Sequence, residues 1–371
     1  MSIKINHLKG FLQVLERAKA VASDKNDDIK SGVLIQAKGT SLSIRGMDEN
    51  ISLEIQSNEL TEATKETSFL VPASFFQELM KNLPKGDVKL VKKESKNEVN
   101  IVVGKSQFNI ATMNGEDYPV VDVLQEGNSF KIDGTLFSEG LSAVKHATSE
   151  NETRPILTGV HIVSNGQYLT LIATDSHRLA AKAVPLLQEA TELKNTVLPK
   201  KSIDELIQIL SNVKECEMII HENRMTIKTD NLTFTTRLLE GSYPDITKLI
   251  PNDFECQSKV NREELIRACD RAKISLKPDK KKVAKFHFKN SELPALDLIF
   301  TTSISSGKEE LFLADLEGEI TINLDVVYLK DSLQSLTTRD VLIQFAGVMK
   351  PVLIKPVSED AAQFALVLPV R

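Results

Sequence analysis

The sequence predicts an α+β protein of three topologically similar domains, each with two helices on one face of a sheet. Two observations carry this: a pair of amphipathic helices returns three times, and a β-rich run follows the second helix of each pair. Length agrees, because 371 residues exceed one ordinary core and a third of the chain is about 124 residues.

The first helix begins Phe11-Leu12-Gln13-Val14-Leu15-Glu16-Arg17-Ala18-Lys19 and returns over 137–145 and 265–273. Each copy has apolar residues at its first, fifth and eighth positions and lysine at its ninth, which is helical spacing. The second helix has the stripe Phe76, Leu79, Met80, Leu83, then Ile203, Leu206, Ile207, Leu210, then Leu329, Leu333, Leu336 with Ser332 as the odd member. Pro72 and Pro199 mark its first turn, where a missing N–H leaves no bond unmade. A carboxylate recurs on it as Glu78, Glu205 and Asp331. Strands are expected over 87–91, 216–220 and 341–345. Further runs over 108–113 and 234–239 lead into turns that end in Tyr118-Pro119 and Tyr243-Pro244. Boundaries then fall near Gly127-Asn128 and Asn252-Asp253, giving domains 1–127, 128–252 and 253–371. Three domains strung end to end either bunch or form an arc. An arc leaves matching surfaces at its two ends, and head-to-tail contacts that close make rings.

Composition excludes several classes. Forty-six basic against fifty-one acidic residues give a net charge of −5, with 41% hydrophobic and 26% charged residues, the balance of a folded globular chain. No apolar run approaches the ~18 residues of a membrane helix, and Met1-Ser2-Ile3-Lys4 leads into no signal-type stretch. Neither a membrane nor a secreted protein is expected. Cys216, Cys256 and Cys269 form no C-x-x-C pair, so a reducing cytoplasm is expected, with no disulfide framework, metal or cofactor. Gly307-Lys308 runs into Glu309 where a phosphate loop needs Ser or Thr. His221-Glu222-Asn223-Arg224-Met225 ends in Met where a zinc protease needs His. Asp175-Ser176-His177 invites a triad, but three successive side chains do not converge as nucleophile, base and orienter. Three readings of it stay open: a hydrolase using Asp175 and His177, a polar turn, and part of a docking surface on a three-domain scaffold.

Longer motifs favour docking. The runs Glu150-Asn151-Glu152-Thr153-Arg154-Pro155-Ile156-Leu157-Thr158-Gly159-Val160, Ala173-Thr174-Asp175-Ser176-His177-Arg178-Leu179-Ala180 and Arg237-Leu238-Leu239-Glu240-Gly241-Ser242-Tyr243-Pro244-Asp245 resemble the bacterial DNA polymerase III beta subunit, the replication sliding clamp, in its Gram-positive form. The ending Leu366-Val367-Leu368-Pro369-Val370-Arg371 is similar as well, and the likeness covers the whole chain in order. The resemblance implies a head-to-tail homodimer of six domains, with helices lining a hole around duplex DNA and strands outside. It implies no catalysis. The clamp would tether the replicative polymerase alpha subunit and would also serve the clamp loader, repair polymerases and ligase.

Site residues follow from the same resemblance. The partner-peptide pocket would comprise Arg154, Leu157, Thr174, Ser176, His177, Arg178, Leu179, Pro244, Lys248, Leu249, Tyr328, Leu366, Leu368, Pro369, Val370 and Arg371. An apolar cleft with a basic rim suits a short motif of hydrophobic anchors and an acidic residue. DNA would face Lys19, Lys145 and Lys273, which recur at one repeat position, with Lys25, Asn151, Lys201, Arg267, Arg271, Lys277, Lys280, Lys281, Lys282 and Tyr328. The dimer seam would join Lys105, Gln107 and Phe108 to Ile274, Leu276, Glu309 and Glu310. Three departures stand out. The first domain has Lys25-Asn26-Asp27-Asp28-Ile29-Lys30 where relatives carry an Arg-x-Thr-x-Pro-Ile-Leu-like run, Asp325 replaces a common asparagine, and Lys248 replaces a pocket arginine.

Overall fold

The computed structural model describes the chain except residues 26–27, 94–96, 122, 191–192, 194–195, 359–361 and 371. Six α-helices appear among the described residues: α1 Leu8–Val21, α2 Ala73–Lys81, α3 Gly134–Val144, α4 Lys200–Leu210, α5 Arg262–Ser275 and α6 Val326–Gln334. They fall where the repeat places them. In α1 the buried residues are Phe11, Leu15, Ala18 and Val21, one stripe of the helix. Gly46 allows α1 to lie against the strand Ser41–Met47, since a Cβ there would come within 1.8 Å of the Ala18 carbonyl oxygen.

Contacts divide the chain into two units, one of Met1–Thr135 with Asp204–Leu238 and one of Leu136–Ile203 with Leu239–Arg371. The first unit contains a 12-stranded sheet that begins at the strand Ser106–Ala111. The second contains a 9-stranded sheet and a four-stranded sheet that begins at the strand Ser306–Phe312. These units differ from the sequence repeats because sheets run through the repeat boundaries. In the first unit Leu232–Arg237 pairs antiparallel with Ile51–Ser57, setting Phe234 opposite Leu53. In the second unit Gln363–Val367 pairs with Arg178–Pro185, setting Ala365 opposite Ala180.

These two joints share one register. Leu53 lies opposite Gly46 and Ala180 opposite Ala173, corresponding residues of the preceding strands. Phe234 lies opposite Ile227 and Ala365 opposite Ile354, again corresponding. Each unit buries its own core. Phe11, Leu15, Ile35 and Phe76 belong to one, and Leu265, Phe286, Phe288 and Phe345 to the other.

Several expectations need correction. Pro72 precedes α2 as its N-cap and Pro199 ends a strand before α4, so neither lies within the first turn. Lys145 follows α3 in a 3-10 turn, while Lys19 and Lys273 are helical. Lys105 occupies a tight turn with Gly104 before the edge strand, because Gly104 takes φ +58°. Leu276 is not a surface residue. It sits just after α5, where its N–H bonds the carbonyls of Ala272 and Ile274 and its side chain turns into the core, 1% exposed.

Candidate functional site

The conspicuous polar cluster lies in the second unit, where the strand Tyr168–Thr174 turns into Arg178–Pro185. Asp175 closes that turn. Its Oδ1 accepts the N–H groups of His177 at 2.8 Å and Arg178 at 2.9 Å, while Ser176 takes φ 75°. Its Oδ2 accepts Arg178 Nε at 2.9 Å. Arg178 Nη1 donates to Asp331 Oδ2 on α6 at 2.6 Å, and the guanidinium lies 4.5 Å from the centre of the Tyr328 ring. The His177 ring stacks on Tyr328, with centroids 6.2 Å apart and planes 17° from parallel. With side-chain exposure of only 12%, Arg178 is a fully engaged latch, not a loose rim cation. Asp175 is spent as turn cap and counter-ion and holds no base for His177, which removes the hydrolase reading.

Two participants escaped sequence reasoning. Asp331 was visible only as the third member of the recurring carboxylates. His146, beside the recurring lysine, has both ring nitrogens enclosed without a hydrogen-bond partner among the described residues. Burial, then the nearby Arg178 charge, hold its pKa down at about 4, against the pull of Asp331 and Asp175.

Beside the latch opens a cavity of about 570 Å³ lined by Thr148–Asn151, Thr153, Arg154, Leu157, Asp175–Arg178 and Tyr328. Of the expected pocket residues it gathers Arg154, Leu157, Ser176, His177, Arg178 and Tyr328. Thr174 is buried, and its hydroxyl donates to the Arg178 carbonyl at 2.7 Å. Leu157, Leu179 and Leu366 form a buried cluster with Tyr243 and Ile246. Of the expected apolar pocket residues, Leu368 is 38% exposed and Leu249 47% exposed. The last strand stops at Val367, and the tail continues with Leu368 N–H on the His177 carbonyl and Val370 N–H on that of Asn323. Pro244 and Lys248 are exposed, Pro369 is partly so, and Arg371 lies outside the described residues.

The basic residues expected to meet DNA vary in freedom. Lys145, Lys201, Lys273, Lys277, Lys280 and Lys281 are exposed, and Lys19 is half-buried in the last turn of α1. Lys25 faces Glu49 at 3.7 Å, Arg267 faces Glu263 at 3.5 Å, and Lys282 donates to the Lys277 carbonyl at 3.0 Å. Asn151 uses its Oδ1 to take the Thr153 N–H, a local turn bond. Tyr328 belongs to the latch, half-buried under Arg178.

At the edge strand Ser306–Phe312, Arg271 Nε donates to Glu309 at 2.7 Å. A cavity of about 660 Å³ opens there beside Arg267, Glu310 and Phe312. Ile274 and Phe312 stand 73% and 72% exposed, whereas Phe108 packs partly on its own core. Lys105 and Gln107 are exposed.

Comparison with known proteins agrees along the full length. Three family models match in order: the DNA polymerase III beta subunit N-terminal domain over residues 1–122, its central domain over 131–245 and its C-terminal domain over 247–371. The beta sliding clamp of Staphylococcus epidermidis is 31% identical over 367 residues, 97% of this chain and 96% of that one. The Staphylococcus aureus beta sliding clamp is 30% identical with the same coverage. The crystal structure of the Bacillus subtilis DNA polymerase sliding clamp superposes with a TM-score of 0.91 at 29% identity, covering 100% of this chain and 99% of that one. A Streptococcus pneumoniae DNA polymerase III beta chain gives 0.92 at 28% identity, with coverage of 100% and 99%. With its three repeats, its shared sheet joints and these matches, the chain belongs to the DNA polymerase III beta subunit family, the beta sliding clamps.

Proposed function

We propose that two copies of this chain close head to tail around duplex DNA and tether the replicative polymerase to it. The observation that carries this is the shared register of the two sheet joints. The last strand of the second repeat pairs with the fourth strand of the first, and the last strand of the third repeat pairs with the fourth strand of the second. Two strands are left over at sheet edges, Ser106–Ala111 and Ser306–Phe312, the ones that would complete the series. An exposed edge is a row of unpaired N–H and C=O groups, and a second copy satisfies both.

Carried to this third joint, the register sets Phe108 opposite Gly307 of the second copy, Gln107 opposite Lys308 and Lys105 opposite Glu310. Glu309, already bonded to Arg271, is left to its own helix. The exposed Ile274 and Phe312 supply apolar area beside that seam. Domains 1–127, 128–252 and 253–371 are the repeating units of such a ring.

The protein has no chemical step of its own. Holding the polymerase on a closed ring turns rebinding to the primer end into an intramolecular event at high effective concentration. The exposed lysines supply sequence-independent phosphate contacts. The apolar groove with Leu249, Leu368 and the Arg154 rim receives short peptides of the polymerase alpha subunit, the clamp loader, repair polymerases and ligase in the cytoplasm.

Retention on DNA tests this reading. Loaded onto nicked circular duplex by its clamp loader, the protein stays through a high-salt wash and leaves after one restriction cut. Equal retention on circles and linear DNA would refute encirclement. Cysteines placed at 107 and 308 crosslink into a covalent dimer, whereas a pair at 107 and 304 does not.

A further inference from the structure

We infer that Phe75 of one copy and Ile304 of a second copy pack together where the copies meet, an apolar clasp in place of the charged latch found within the chain. The inference deepens the head-to-tail reading and rests on it.

The turn before the edge strand Ser306–Phe312 is built like the turn at Asp175. Thr302 Oγ1 accepts the N–H groups of Ile304 at 3.4 Å and Ser305 at 3.0 Å, as Asp175 Oδ1 accepts those of His177 and Arg178. The Thr302 N–H bonds the Ser305 carbonyl, as the Asp175 N–H bonds that of Arg178. Ile304 therefore stands in the place of His177, and Ser305 in that of Arg178. On the other side of the joint, Phe75 is the third residue after the α2 cap Pro72, as Tyr328 is the third after the α6 cap Asp325. The buried Ala73, Phe76 and Met80 match the buried Val326, Leu329 and Leu333, which fixes the correspondence.

Within the second unit the His177 and Tyr328 rings stack. At the joint between copies the corresponding pair is Ile304 and Phe75, 79% and 57% exposed in the single chain. Single exposed apolar side chains are ordinary, but these two occupy positions that touch once a joint is complete. The surrounding chemistry has changed with them. Ser305 carries no charge, so the ion pair of Arg178 with Asp331 has no equivalent, and Glu78, at the place of Asp331, is exposed. A phenyl ring and a branched aliphatic chain instead remove from water the area each presents to it. The occupant is a second copy, because each chain carries both halves. One lies in the repeat that ends in Ser106–Ala111, the other just before Ser306–Phe312. An apolar contact is not screened by salt, unlike the pairing of Lys105 with Glu310 at the same seam.

Sedimentation of the full chain over a concentration series tests the clasp. Phe75→Ser and Ile304→Ser are each expected to raise the dimer dissociation constant at least tenfold, by the same factor at low and high salt. The double variant is expected to be no weaker than the weaker single one, because either change removes the same contact. Leu187→Ser, at a residue 56% exposed and outside both edges, leaves the constant unchanged. All three side chains are exposed in the single chain, so the fold stays, as circular dichroism verifies. The inference is overturned if neither seam variant weakens the dimer, if Leu187→Ser weakens it as much, if the effect vanishes in high salt, or if the two losses multiply. Cysteines at 107 and 308 separate this failure from that of the ring. A crosslink there beside an unweakened Phe75→Ser dimer removes the clasp and leaves the ring, whereas no crosslink removes both.

Discussion

At the joint of Arg178–Pro185 and Gln363–Val367 Leu179 and Leu366 lie side by side, with Leu157 packed on them and Leu368 just beyond the strand. At the equivalent joint of Ile51–Ser57 and Leu232–Arg237 the corresponding strand residues are Ser52 and Thr235, followed by Arg237. The backbone pairing is the same, because a ladder needs only its N–H and C=O partners and a buried opposite face. Side chains on the groove side are under no such demand and have diverged. Beneath them the order is reversed. The apolar groove is flanked by the charged latch of Arg178, whereas its counterpart is Ile51, 3% exposed. One repeated scaffold thus carries two joints lined by opposite chemistry.

The largest effect is expected from giving the apolar groove the polar residue of the other. Leu366 is 3% exposed and packs with Leu157 and Leu179. Leu366→Thr shortens a buried side chain and sets a hydroxyl among apolar neighbours, and it is expected to cost about 3 kcal/mol of stability, read by urea unfolding. Hydrogen exchange locates the loss in residues 136–203 and 239–371, and partner-peptide binding falls with it. The reverse change, Thr235→Leu, creates no such binding, because Arg237 still occupies the rim.

Next comes the latch. Arg178 and Asp331 have side-chain exposures of 12% and 31%, while Lys38 and Glu66, 3.0 Å apart, have 77% and 75%. A double-mutant cycle on the first pair is expected to give a coupling of about 2 kcal/mol, since removing one partner strands a half-buried charge. The exposed pair should give roughly 0.3 kcal/mol, because water and salt screen it. Equal couplings would show that the latch is an ordinary surface pair.

Legibility in the sequence followed the same division. The helices, their buried stripes and the three-fold repeat were readable because periodicity is a local signal. Arg178, Tyr328 and Leu368 were reachable only through the resemblance, which named them without their partners. That Arg178 spends its charge on Asp331, 153 positions away, is a tertiary fact with no local trace. Leu276 misled because its neighbour Ile274 is exposed and only the end of α5 separates the two. The joint register was invisible for a similar reason. Repeats advertise equivalent strands, but only pairing shows that the last strand of one repeat belongs to the sheet of its neighbour.

A smaller effect separates the repeats by pH. His146 is held neutral in the folded chain with a pKa of about 4, below the ordinary imidazole value of 6.5. The unfolded chain therefore binds more protons between those values, and stability present above pH 6.5 is lost as pH falls toward 4. Arg178, Asp331 and Asp175 are the charged groups acting on it, and the cation opposes its protonation. By pH 5 the loss is expected to be roughly 2 kcal/mol. The matching residue of the first repeat is Ala20, which cannot titrate. Hydrogen exchange should thus quicken around 137–147 on acidification before it does around 11–21. His146→Leu should flatten that difference.

The smallest effect tests the start of the second helix. In α6 the Asp325 carboxylate accepts the N–H groups of Val327 at 2.9 Å and Tyr328 at 3.4 Å, and its other oxygen takes that of Lys282 at 3.3 Å. In α2 the same position is Pro72, which offers no side-chain cap. Asp325→Ala is therefore expected to cost about 1 kcal/mol, and Pro72→Ala less than half of that. Asparagine has the same acceptor at the same reach, so Asp325→Asn should restore nearly all the stability, and the departure from the family residue is then neutral for folding. Because α6 carries Tyr328 and Asp331, the alanine variant should also loosen the Arg178 latch, seen as faster exchange at residues 175–179. If Asp325→Ala left both readouts unchanged, the cap would be idle and the two helix starts energetically alike.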